Sequence, residues 1–172
     1  MKRLFSLLLL ALSFSLFSEG RFECSMRMPH GEAFENYWTK MPEEVRENER
    51  IVDYVPTQQG STEGEESFTI QAYQFIEDFD IRMMYDKFVS TLRENIEPAA
   101  LLHHVVHHKD RKSVYFEWWV NPPYKEAQHE WIKILKDKNN KLAIVRFQSK
   151  NEIRRENEHL WIECVKHSSF LN

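Results

Sequence analysis

SVYFEWWV, residues 113–120, alternates: Val114, Phe116, Trp118 and Val120 point one way, and Tyr115, Glu117 and Trp119 the other. Aromatic and β-branched residues at period two predict a strand. Residues 130–136 (EWIKILK) and 142–147 (LAIVRF) predict a hairpin around the polar turn Asp137-Lys138-Asn139-Asn140. Upstream, 101–109 (LLHHVVHHK) leads into the first strand through a turn at Lys109-Asp110-Arg111-Lys112. Strands with a large apolar face need a cover. The rest of the chain supplies one.

Two more strands are predicted before this group, at 50–55 (RIVDYV), ended by Pro56, and at 67–75 (SFTIQAYQF). A helix follows, with Asp78 or Asp80 as its cap. Ile81, Met84, Tyr85, Phe88, Leu92 and Ile96 make its apolar stripe, and Pro98 marks its end. A last helix over 151–167 carries a stripe of Leu160, Trp161, Cys164 and Val165. The order is strand, strand, helix, four strands, helix. That order predicts an α+β domain over 50–172, with a mostly antiparallel sheet of five or six strands and two main helices. Residues 21–49 read as irregular, with a short helix starting at Pro42-Glu43-Glu44. Residues 63–66, Glu-Gly-Glu-Glu, read as a solvated turn.

The first twenty residues predict the compartment. Lys2 and Arg3 precede an apolar run from 4 to 17, and Ser18-Glu19-Gly20 follows. This is the pattern of a secretory signal peptide, cut after Gly20 or after Ser15. The run is about fourteen residues, against the roughly 20 of a spanning helix. No other stretch reads as a span, so the expected location is periplasmic or secreted. Removing 1–20 leaves 23 − 2 = 21 basic and 27 − 1 = 26 acidic residues, a formal charge of 21 − 26 = −5. A mildly acidic chain without a basic cluster excludes nucleic acid as an expected partner. Cys24 and Cys164, near the two ends, form a disulfide in an oxidising compartment, or Cys164 is a small buried apolar residue.

Tyr54-Val55-Pro56, the polar loop after it and Ser67-Phe68-Thr69-Ile70-Gln71 resemble a group of uncharacterised exported bacterial proteins. The resemblance runs over about 51–166, through the helix, the proline and both hairpins. It implies an α/β sandwich similar to that of Mog1 and PsbP. It implies no active site. The histidine cluster in the first hairpin departs from the group's pattern.

That cluster, His103, His104, His107 and His108, offers four imidazoles in six residues to zinc or copper. On a helix the 103/107 and 104/108 pairs chelate. On a strand His103 and His107 stand about 13 Å apart at ~3.3 Å per residue, too far for one ion. A strand site must then recruit His129, Glu117, Glu130 or another chain. Four clustered imidazoles also repel one another once protonated. The second candidate is the face of Tyr115, Glu117 and Trp119, extended by His129 or Trp131, as a floor for a small ligand. The third is an acid–base group of Glu117, Glu130 and His129 for a small hydrolase. No nucleophile elbow, zinc-protease motif or phosphate-binding glycine loop accompanies it. The expected function is a non-catalytic binding or interaction module of the cell envelope, without a cofactor, for a protein or small ligand. Metal binding through the histidine cluster is the alternative, and hydrolysis the weaker one.

Overall fold

The structure is a computed structural model and describes residues 22–24, 38–57, 66–73, 79–96, 101–120, 128–150 and 156–170. The expected signal peptide lies outside them, as do Asp78, Pro98 and residues 151–155.

Six strands carry the main sheet: β4 (Glu49–Pro56), β5 (Glu66–Tyr73), β6 (Leu102–Lys109), β7 (Ser113–Val120), β8 (Gln128–Lys136) and β9 (Leu142–Ser149). Every pairing is antiparallel, in the order β4-β5-β9-β8-β7-β6. Two short strands, β2 (Trp38–Lys40) and β3 (Glu44–Arg46), both pair with β4 and raise the count to eight. The fold is therefore the α+β class read from the sequence, with more strands than the expected five or six. The additions fall in the stretch expected to be irregular. At Glu44 a strand replaces the expected short helix, because the turn at Glu47-Asn48 folds Glu44–Arg46 back onto Glu49–Ile51. Glu66 is a second correction: it is the buried first residue of β5, opposite Ser149, and not part of a solvated turn. A separate ribbon pairs β1 (Phe22–Cys24) with β10 (Ser168–Phe170).

Asp80 caps α1 (Ile81–Asn95) by accepting from the Arg82 amide at 2.7 Å. The helix lays Ile81, Tyr85 and Val89 against Val114, Phe116, Trp118, Ile132 and Ile134. On the opposite face, α2 (Glu156–His167) lays Trp161, Cys164 and Val165 against Phe68, Trp131, Val145 and Phe147. Leu160, expected in that stripe, is exposed instead. The molecule is thus a helix, a sheet and a helix in three layers. Side chains alternate along each strand, so the period-two reading of 113–120 sorts its residues to the two helices as expected. Trp161 anchors α2, with ring centroids 4.1 Å from Phe68, 4.9 Å from Trp38 and 5.6 Å from Tyr54.

The two hairpin turns close on aspartates. Asp137 accepts from the amides of Asn139 and Lys141 at 2.7 Å each, and Asn140 takes φ 60°, which asparagine tolerates. Asp110 accepts from the amides of Lys112 and Ser113 at 2.7 Å each. Cys164 is disulfide-bonded, and the sequence holds one other cysteine, Cys24. Among the described residues no helix is long and apolar enough to cross a membrane.

Candidate functional site

On the α2 face, cross-strand register sets three rows over β6, β7 and β8. They are His108–Tyr115–Lys133, Val105–Glu117–Trp131 and His103–Trp119–His129. One irregularity changes the expected pattern. The register shifts between Val106 and His108, so His107 is an extra residue in β6. A bulge places two neighbouring side chains on one side of a strand. His107 reaches Tyr115 (ring centroids 5.0 Å apart) and Glu117, while His108 stands opposite Tyr115.

Glu117 is the junction of the face. Its Oε1 lies 2.9 Å from His107 Nε2, and its Oε2 lies 2.8 Å from His129 Nε2. A carboxylate only accepts, so both imidazoles donate to it through Nε2–H. Burial pushes the His129 pKa below the ordinary 6.5, although Glu117 pulls it back up. His129 also stacks on Trp131 at 3.7 Å, and Trp119 stacks on His103 at 4.9 Å.

α2 packs over β8 and β9 and leaves part of this floor uncovered. The result is an open groove of 590 Å³. Tyr115, Glu117, Trp131 and Lys133 form its floor; His107 and His108 form one wall, and Ile162, Glu163 and Lys166 the other. Lys133 donates to the carbonyls of Lys166 (2.6 Å) and Ser168 (2.8 Å), tying a cation to the negative end of α2.

The structure brings together two of the three residues expected to bind ligand, Tyr115 and Glu117. Trp119 sits beside the groove, between His103 and His129, and does not line it. The four histidines of 103–108 lie on the edge strand, as the strand reading expects, and they are divided. His104 faces α1, where its Nε2 lies 2.7 Å from the Tyr85 hydroxyl. Burial, with Arg93 and Lys109, lowers its pKa. His108 pairs with Asp110 at 3.0 Å. Among the described residues no group of three or more His, Cys, Asp or Glu stands ready to hold a metal ion. Of the expected acid–base group, Glu117 and His129 are in contact. Glu130 is on the other face, accepting from Trp118 Nε1 at 3.1 Å and Gln128 Nε2 at 3.0 Å, and burial raises its pKa.

Sequence reasoning missed Lys133. The signal was present: in EWIKILK, Lys133 shares the inward parity of Trp131 and Leu135, and a lysine on an apolar face marks an unusual position.

No family model matches the chain, and no curated protein matches it in sequence. Among solved structures, the Saccharomyces cerevisiae Ran-binding protein Mog1p is similar, with a TM-score of 0.48 and 10% sequence identity. The match covers 74% of this chain and 80% of that one. No residue role follows from it.

Proposed function

We propose that the protein is a non-catalytic binding module of the cell envelope that seats a small ligand between α2 and β6–β8. The observation that carries this reading is the groove itself. Its 590 Å³ falls in the roughly 300–1,000 Å³ range of small-molecule sites, and it combines aromatic floor with a few fixed polar groups. The floor is rigid, because three paired strands hold it and the His107–Glu117–His129 bridge ties them together on that face. Both oxygens of Glu117 already accept from imidazoles, which suits a structural and positioning role better than proton transfer. Export is supported by the signal-peptide pattern in residues 1–20 and by the disulfide at Cys164.

Nuclear magnetic resonance with small aromatic fragments tests the site. Shifts are expected to cluster at Tyr115, Trp131 and Ile162. Glu163→Trp, which fills the groove from a half-buried helix position, is expected to remove them without lowering the unfolding midpoint. Shifts that survive Glu163→Trp place binding elsewhere and sink the proposal. N-terminal sequencing of the exported protein tests the location, with Arg21 as the expected first residue. An uncleaved intracellular chain removes the envelope and leaves the groove.

A further inference from the structure

We infer that the groove contains an anion subsite, in which His108, Tyr115 and Lys133 receive the carboxylate or phosphate group of a small acidic ligand. The inference rests on the groove being a binding site and names what that site selects.

The three residues form one straight row. His108 stands opposite Tyr115 across β6 and β7, and Tyr115 opposite Lys133 across β7 and β8. Directly opposed residues hold their Cβ atoms about 4.5–5.5 Å apart. The central side chain is thus within reach of both neighbours, and all three line the groove.

Tyr115 is the residue that calls for a ligand. It is 8% exposed, yet its hydroxyl makes no hydrogen bond to any described residue. The ring is buried while the hydroxyl is not among the buried polar atoms that lack a partner, so the oxygen stands at the solvent side of the residue as a free donor. Tyr115 lines the groove, so an acceptor seated there can take that hydrogen bond. Burial, with the nearby charges of Glu117 and Glu163, pushes its pKa up to about 12, which keeps it a donor.

Lys133 supplies the charge. An ammonium has three donors, and two go to the Lys166 and Ser168 carbonyls. The third remains. Burial lowers the Lys133 pKa and Asp110 offsets only part of that, so an anion beside the ammonium relieves an existing penalty.

The surrounding carboxylates are already occupied. Glu117 accepts from His107 and His129, Asp110 from His108 and two amides, and Glu163 from Lys166 and His167. Among the described residues Lys133 has no ion-pair partner of its own. A cation with one donor left over and a phenol with its donor unused, in one row, select an oxyanion.

The test uses the full disulfide-bonded protein at pH 7.5 with three probes of one shape: phenyl phosphate, phenylacetate and benzyl alcohol. Calorimetric titration is expected to show both acids binding about tenfold or more tighter than the alcohol. The stronger acid identifies the phosphate or the carboxylate source. Lys133→Met is expected to erase the preference. Because Lys133 also ties down α2, Tyr115→Phe provides the second reading: it removes one oxygen that bonds to none of the described residues. It is expected to weaken the acids about threefold or more while leaving benzyl alcohol unchanged. Equal binding of acids and alcohol overturns the subsite and leaves the groove standing, as does a preference that survives Tyr115→Phe undiminished. Failure of all three probes removes the groove reading as well.

Discussion

The two faces of the sheet are built from the same strands and finished differently. Under α1, the even-numbered residues of β7 and β8 include Val114, Phe116, Trp118, Val120, Ile132 and Ile134, and the helix closes over them. Its one buried carboxyl among the described residues, Glu130, is locked between Trp118 and Gln128. Under α2, the odd-numbered residues include Tyr115, Glu117, Trp119, His129, Trp131 and Lys133, and the helix covers only some of them. The first face uses its polar groups internally. The second leaves a phenol and an ammonium short of partners. A sheet with two covered faces thus divides its work: one face supplies stability, and the other spends some on a cleft.

The strongest break in that comparison is Trp161→Ala. Trp161 is 2% exposed among Trp38, Tyr54 and Phe68, and its loss removes the anchor of α2. Denaturant unfolding is expected to show a loss of about 3–5 kcal/mol. A loss under about 1 kcal/mol means that α2 is held by other contacts.

Glu117→Gln probes the open face more locally. An amide offers one acceptor where the carboxylate offers two, so one of the two imidazole donors then meets an N–H. The expected cost is about 1–2 kcal/mol, with the His129 pKa falling further once its supporting charge is gone. A His129 titration unmoved by this variant shows that the bridge does not govern the imidazole.

Acid sharpens the comparison, because each face carries one imidazole held below the ordinary 6.5: His104 under α1 and His129 under α2. Between the folded pKa and 6.5 the unfolded chain binds more protons than the folded one. Stability therefore falls as pH drops below about 6.5. His104→Gln combined with His129→Gln is expected to flatten that slope in denaturation midpoints taken from pH 7.5 to 5. An unchanged slope moves the acid sensitivity to other groups.

The smallest effect is expected at Leu160, a helix position exposed despite its place in the apolar pattern. Leu160→Ala is expected to change stability by about 0.5 kcal/mol or less. A larger loss in thermal or denaturant unfolding places a covering segment over that side of α2.

The fold was legible wherever one face is buried. In 113–120, alternation named both the strand and the two sets of side chains that face opposite ways, since burial enforces period two. It failed at β3, whose three residues are all exposed. There the hairpin turn creates the strand, and no hydrophobic pattern records it. The site was half legible. Tyr115 and Glu117 stood out on their own strand, but the partners that give them meaning come from register. Nothing local sets Lys133 beside Tyr115 or His129 beside Glu117; pairing of β7 with β8 does. The division of the histidine cluster was hidden for the same reason: six consecutive residues of an edge strand point to two different layers.

The extra residue in β6 has a consequence for how the chain can vary. Removing any residue from the middle of a strand turns everything beyond it to the opposite face. His107 is the exception here. With it deleted, Val106 still meets Phe116, His108 still meets Tyr115, and Lys109 still meets Val114. Glu117 loses one of its two imidazoles and nothing else is inverted. Single-residue length differences among relatives of this protein are therefore expected to fall at His107, the one place in β6 where chain length and side-chain direction are uncoupled.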